Sequence, residues 1–344
     1  MLAIDSTLHR PRLELAYVLF KNGDYDGAKY HFEKVLSLAE SPEVKNNIRS
    51  FLNQIREELP KFNLTLGIIK DSNPNQETSS RKVTIGGLEF ELGSTNNDKS
   101  DVGYEVKLNS KFPLSNKDKT FIKANIEHTD YSGANNTKTY LSTSYGKHIS
   151  LSLDSSITPK IGHHKFIYKS NSLYGGNTLG LNFFKRIDNK SSIEIDTRLL
   201  DYNYPNYSHM NGLKKSMVLQ YSNNPSSNNQ YKFQVSKLLS DAEDKSIAYN
   251  RTGFLINNIR DISNGWIVGL DAKLNNKRYE SLDPFFGLVR DDKEKTVEIS
   301  IVNTQYEMYG LSPRLVIGKT NNESNISLYE FDRTYSKVEF TKEF

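Results

Sequence analysis

The sequence predicts a mainly β chain: an antiparallel barrel of about fourteen strands preceded by a small all-α segment. Two observations carry this. Residues 1–59 place apolar side chains at three- and four-residue steps. From Lys61 to Phe344, short runs instead alternate apolar with polar residues and are separated by Asn, Ser, Asp and Gly. A period that changes from near 3.6 to two at Pro60 marks helices feeding strands, and divides the chain into 1–59 and 60–344. The β part is large for one soluble sandwich and ordinary for a closed barrel.

Composition narrows the class. Only 36% of the 344 residues are hydrophobic, and no run approaches the ~18 apolar residues of a membrane-spanning helix. A transmembrane barrel survives that test, because only every second residue of its strands meets lipid. The net charge of +4 comes from 45 basic and 41 acidic residues spread along the chain, so no nucleic-acid partner is expected. Cysteine is absent, which rules out a disulfide framework and a thiolate metal site and fits an oxidising compartment such as the periplasm. Met1-Leu2-Ala3-Ile4-Asp5 lacks the charged and apolar regions of a signal peptide, so an exported chain would be a mature or truncated form.

In the helical part, 11–22 reads as one helix, with Pro11 in the first turn, Leu13, Ala16, Tyr17 and Phe20 on one face, and Gly23 as the stop. A second, 24–40, carries Ala28, Phe32, Val35 and Leu36. Ser41-Pro42-Glu43 opens a third in the order cap, proline, acidic first turn, with Val44, Ile48, Leu52 and Ile55 on its face. Ala16, Leu19, Gly23-Asp24-Tyr25, Ala28, Phe32 and Val35 resemble one tetratricopeptide repeat. One repeat cannot bury both faces, so either more repeats precede Met1 or this one packs on a neighbour; a plain helical cap on the β part is the alternative.

In the β part, Val102, Tyr104, Val106 and Leu108 oppose Glu105, Lys107 and Asn109. Ile149, Leu151 and Leu153 oppose Ser150, Ser152 and Asp154; Ile193, Ile195 and Leu199 oppose Glu194, Asp196 and Arg198; Trp266, Val268, Leu270 and Leu274 oppose Asp271 and Lys273. Alternation alone fits a soluble sandwich equally well. Three features favour a membrane barrel. The runs are about ten residues long, a tilted bilayer-spanning length. Aromatic residues sit near strand ends (Phe121, Tyr140, Tyr145, Tyr174, Tyr202, Tyr221, Tyr231, Tyr249, Trp266), as interfacial girdles require. The chain also closes on a strand-like run from Tyr335 to Phe344, which resembles the terminal recognition signal of outer-membrane barrels.

Fifteen candidate strands fall near 61–70, 83–92, 101–110, 119–128, 137–146, 148–156, 174–186, 191–202, 213–222, 230–239, 247–258, 264–275, 295–308, 311–320 and 333–344. Bacterial barrels have even strand numbers, which puts both termini on the periplasmic side. Tight connections at Gly146-Lys147, 188–190, 223–229, 259–263 and Tyr309-Gly310 are assigned to the periplasm, and longer ones at 157–173, 203–212, 276–294 and 321–332 to the outside. That parity admits only one of 61–70 and 83–92, giving fourteen strands.

PRLELAYVLFKNGDYDGAKYHFEKVL from Pro11, SPEVKNNIRSFLNQI from Ser41, FNLTLGIIKDSNPN from Phe62 and the terminal SLYEFDRTYSKVEFTKEF together resemble the surface lipoprotein assembly modulator family, Slam, of Gram-negative outer membranes. The specific parts are the helical block running into Asp71-Ser72-Asn73 and the last strand, reached through Leu328 and Tyr329. The resemblance implies a periplasmic tetratricopeptide region joined to a fourteen-stranded outer-membrane barrel that helps move lipoproteins or secreted proteins to the cell surface. The partners so implied are a client protein of that kind, a periplasmic chaperone and outer-membrane lipid. The chain departs from the family in having about one repeat.

Catalytic, cofactor and metal sites are not expected. Histidines 9, 31, 128, 148, 163, 164 and 209 include no pair at helical zinc spacing, and His163-His164, placed in an outer loop, read as solvated residues that point opposite ways. No Gly-x-Ser-x-Gly elbow or phosphate loop occurs. Inward charges are expected at Glu105, Lys107, Glu127, Asp154, Glu194, Asp196, Arg198, Lys232, Asp271, Lys273 and Glu298, either as a path for an extended polypeptide or simply to hydrate the lumen. The functional expectation is an outer-membrane translocator; the alternative is a passive porin with a structural helical cap.

Overall fold

The structure is a computed structural model that describes residues 9–38, 41–92, 100–115, 118–131, 133–307 and 311–343. The chain divides into two compact units, Met1–Lys61 with Lys111–Phe121, and Phe62–Ser110 with Ile122–Phe344.

Three helices open the first unit: α1 (His9–Lys21), α2 (Tyr25–Leu38) and α3 (Pro42–Glu58). Gly23, at φ +80°, ends α1 in a Schellman turn, its N–H donating to Phe20 O (3.2 Å) while that of Asp24 reaches Leu19 O (3.0 Å). Asp24 then caps α2 by accepting the Gly27 N–H at 3.0 Å. Ser41 stands at the cap of α3, yet its hydroxyl makes no capping bond; its carbonyl accepts the Lys45 N–H at 3.1 Å. Ala16 and Ala28 are fully buried, and Phe32, Val35, Ile48 and Ile55 complete one core shared by all three helices. Phe32 and Phe51 stack at 5.1 Å within it.

The large sheet is built on β1 (Lys61–Asp71), β4 (Asp101–Ser115), β5 (Thr120–Tyr131), β6 (Asn136–Lys147), β8 (Ser155–Tyr168), β9 (Asn171–Arg186), β10 (Ser191–Tyr202), β11 (Gly212–Ser226), β12 (Asn229–Ser240), β13 (Tyr249–Ser263), β14 (Trp266–Leu282), β15 (Val289–Asn303), β16 (Ser312–Ser324) and β17 (Phe331–Glu343). Each hydrogen-bonds to the next around the sheet, and β1 pairs antiparallel with β17 from Asn63↔Glu343 to Asp71↔Tyr335. The result is a closed antiparallel barrel of fourteen strands, with no free edge to template aggregation. That register places the start of β1 and the end of β17 at one rim, as the parity argument expects.

Of the two competing runs, 61–70 is the barrel strand. Residues 83–92 form a separate hairpin of β2 (Lys82–Ile85) and β3 (Leu88–Glu91), turned at Gly86-Gly87, both at positive φ. The tight turns 187–190, 227–228 and Asn264-Gly265 lie at the rim shared by the termini, the periplasmic rim of such barrels. Residues 308–310 and Phe344 lie outside the described residues, so the expected Tyr309-Gly310 turn and the terminal aromatic are not placed.

The structure corrects the expected strand 148–156 and loop 157–173. Ile149–Ser150 form the short strand β7, residues 151–154 are a turn in which Leu153 is 101% exposed, and 155–156 already belong to the next strand. The wall strand is β8, which ends in a two-residue turn, Lys169-Ser170, with both residues at positive φ. The expected outer loop 276–294 is also mostly strand: β14 and β15 pair in unbroken register as far as Arg278↔Asp291 and again, past an irregularity, at Leu282↔Val289. Above the membrane both faces are wet, so apolar alternation fades while the hydrogen-bond ladder continues.

Candidate functional site

The two faces of the wall are told apart by what they bond. On one face, Leu66, Ile68, Leu181, Val235, Phe254, Leu270, Leu274, Ile299 and Ile317 are exposed and form an apolar belt. On the other, the strands carry mostly polar and charged side chains that bond to one another from end to end of the wall, as a wet lumen requires. Ten of the eleven expected inward charges share this inner face. Asp196 pairs with Arg198 at 2.5 Å and Lys160 at 3.5 Å, Glu194 accepts from Asn182 at 2.6 Å, and Asp271 accepts from Asn257 at 3.1 Å. The exception, Asp154, sits in the turn between β7 and β8.

The densest part of the inner face flanks the closure of β1 on β17. Asp71, 0% exposed, accepts from Arg333 Nε at 2.8 Å, from the Tyr131 hydroxyl at 3.0 Å and, through Oδ1, from the Asn73 N–H at 2.9 Å. Asn73 in turn donates to Glu77 O and Asp332 O at 2.8 and 3.2 Å. Asp71-Ser72-Asn73 is therefore the point at which the first strand, the outer loop and the last strand are fastened together. A buried carboxylate with three donors is satisfied; with fewer it would be costly.

Two glycines make the long reaches possible. Tyr131 of β5 crosses β4 at Gly103 to meet Asp71 on β1, and Tyr335 of β17 crosses β16 at Gly318 to donate to Glu298 on β15 at 2.8 Å. A Cβ at Gly103 would stand 2.6 Å from the Tyr131 ring and 2.3 Å from Asp130 O; one at Gly318 would stand 2.3 Å from the Tyr335 ring. Lower on the closure, Lys337 lies 3.7 Å from Glu105 and 3.9 Å from Glu339, and Lys107 lies 2.6 Å from Glu105. These ion pairs span β4 to β17 above Gly67 of β1.

Around the rest of the outer-end lumen runs a wall of tyrosines and cations. Lys214 lies 3.6 Å from the Tyr202 ring centre, Lys277 lies 4.2 Å from that of Tyr249, and Arg290 lies 3.4 Å from that of Tyr329. Tyr174 packs on Tyr202 at 4.8 Å and Tyr204 at 5.1 Å. In the outer loops, burial raises the pKa of Tyr204; burial followed by the bond to Asp283 raises that of Tyr329. Tyr329 donates its hydroxyl to Asp283 at 3.1 Å.

This arrangement corrects two expectations. Tyr140, Tyr174, Tyr202 and Tyr249 face the lumen, and Phe121 is buried, so none of them is a lipid girdle; Tyr145, Tyr221 and Trp266 do lie on the exposed outer face, near the periplasmic rim. His163 and His164 do point opposite ways, but from β8 rather than from a loop. His164 is 1% exposed, beside Tyr202 at 5.0 Å, with Nδ1 3.1 Å from Thr178 Oγ1.

The helical unit has its own concavity, a groove of about 500 Å³ with Leu13, Tyr17 and Val18 of α1 on one side, Val44 and Phe51 of α3 on the other, and Phe32 of α2 among its lining. Tyr17 is 45% exposed there, off the core on which its spacing had placed it.

Residues 61–344 match the family described as surface lipoprotein assembly modifier. The chain belongs to this family. The assembly-modifier barrel is thus an outer-membrane barrel, and its family concerns surface lipoprotein assembly. No curated protein matches the chain. Similar solved structures include a Pseudomonas aeruginosa FadL homologue, at 8% identity and TM-score 0.48, covering 83% of this chain and 90% of that one. The outer membrane channel DcaP of Acinetobacter baumannii is similar at 8% identity and TM-score 0.46, covering 82% and 96%. The P. putida toluene transporter TodX is similar at 9% identity and TM-score 0.45, covering 85% and 92%.

Proposed function

We propose that the chain is an outer-membrane translocator that helps deliver a client, a surface lipoprotein or secreted protein, to the cell surface. The observation that carries this reading is a barrel of the lipoprotein-assembly family preceded in the same chain by a tetratricopeptide-like helical segment, residues 1–59, with an open apolar groove. A pore for small solutes has no use for such a groove; an extended polypeptide has, because its apolar side chains need temporary cover. The groove takes the client, or a periplasmic chaperone that presents it, and the barrel passes it outward along an inner wall of paired charges and tyrosines. The apolar belt meets outer-membrane lipid.

Deleting residues 1–59 from the intact protein tests this. Surface exposure of the client, read by protease shaving of whole cells, falls at least tenfold while the barrel still shows its heat-dependent gel shift. Unchanged delivery overturns the reading. A passive porin would instead give steady bilayer conductance and liposome swelling with no client present.

A further inference from the structure

We infer that the outer face of the barrel carries a binding site for the phosphates of an outer-leaflet glycolipid, built from Lys237 of β12, Arg278 of β14 and Lys293 of β15. The register defines the place. Val235, Phe254 and Leu274 are neighbours across β12, β13 and β14, and form the last wholly apolar row of the belt on these strands. The next row toward the outside runs Lys237↔Thr252↔Asn276↔Lys293, and the one above it Leu239↔Asn250↔Arg278↔Asp291.

Heights follow from strand geometry. From Trp266 to Leu274 the outward residues of β14 are all apolar, about 26 Å along the strand and about 20 Å along the membrane normal at a tilt of about 40°. The first polar row stands about 5 Å higher, at headgroup level. Cations at that depth face lipid phosphate rather than bulk water.

The local chemistry agrees with the location. Lys237, Asn250, Thr252, Arg278 and Lys293 line a groove of about 480 Å³, with Glu280 and Asp291 also on its wall. Lys237 donates to Thr252 Oγ1 at 3.1 Å, which holds its ammonium over the groove. Among the described residues, no carboxylate oxygen comes within 4.0 Å of the Lys237, Arg278 or Lys293 nitrogens. Lys295, one step closer to the belt, is by contrast paired with Glu323 at 2.5 Å. Three cations left without carboxylate partners around one groove, at the level where phosphates lie, suit a bis-phosphorylated sugar headgroup.

The test uses the full chain, folded in mild detergent and titrated with bis-phosphorylated lipid A or with its dephosphorylated form, read by native mass spectrometry. At about fivefold per cation, binding of the phosphorylated form should exceed that of the dephosphorylated form by tenfold or more. The triple variant K237A/R278A/K293A should lose that preference and keep the heat-dependent gel shift of a folded barrel. A control variant, K185A/R260A, removes outward cations at the opposite rim and should keep it. Equal binding of the two lipids, an unchanged triple variant, or an equal loss in the control would each overturn the site.

Discussion

Tyr335 lays its ring over Gly318 and donates its hydroxyl to Glu298, two strands away, at 2.8 Å. Glu298, Gly318, Tyr335 and Asp71 stand in one transverse row across β15, β16, β17 and β1, so the bond ties both flanks of β16 across the missing side chain. Gly318→Ala pushes the ring off Glu298 and is expected to destabilise the folded barrel by about 1–3 kcal/mol, as overpacking plus one lost charged hydrogen bond. Gly103→Ala, where Tyr131 makes the equivalent crossing, should cost at least as much, since there a backbone oxygen also stands in the way. Urea midpoints from the gel shift of vesicle-folded protein measure both; a change within error at either site would show that the ring moves aside freely.

The ion pair beside that row makes a sharper prediction. Arg333→Ala leaves the buried Asp71 carboxylate with only Tyr131 and the Asn73 N–H as donors, and Asp71→Ala leaves the half-buried guanidinium without its carboxylate; each is expected to cost about 3 kcal/mol. The double variant should recover a large part of that loss, because neither charge is then stranded. Additive losses in the two singles would mean that solvent already reaches the pair.

Fourteen strands are legible because the belt and the lumen enforce a period of two and an even count admits only one of 61–70 and 83–92; which of the two it is follows only from the pairing of β1 with β17. What failed did so for local reasons. In β8 the core of the strand reads Pro159-Lys160-Ile161-Gly162-His163-His164, with too few outward apolar residues to mark it, whereas Ile149, Leu151 and Leu153 alternate without a partner beyond β7. The inward tyrosines are legible from parity, whereas their position along the strand points to a girdle. Tyr140 shares its face with Ser142 and Ser144, and Tyr249 with Arg251, which already marks both as luminal. The Asp71–Arg333 contact joins residues 262 apart, so it follows from closure and not from any local pattern.

Which face meets lipid can be tested directly. Leu270 points outward in the middle of the belt, and Asn275, on the luminal face of the same strand, donates to Glu294 at 3.0 Å. Leu270→Arg is expected to cost about 2–4 kcal/mol in lipid vesicles, whereas Asn275→Arg, beside a carboxylate in a wet lumen, should cost well under 1 kcal/mol. Reversed magnitudes would turn the wall inside out.

The helical unit carries a pH dependence of its own. His31 of α2 has Nδ1 3.3 Å from Arg12 Nη1 of α1, and its pKa is lowered from 6.5, first by burial and then by Arg12, with Asp24 acting the other way. A histidine whose folded pKa lies below its unfolded value stabilises the fold above the unfolded value and withdraws that support as pH falls through the folded one. Packing of α1 on α2 should therefore weaken as pH falls below the unfolded value of 6.5 and through the lower folded one, where the imidazolium would face the guanidinium. Amide hydrogen exchange in α1 and α2 of the whole protein, corrected for intrinsic rates, should speed up over that range. His31→Gln should remove the dependence, since the amide has no proton to gain; a variant that keeps the full pH response would assign it to another group.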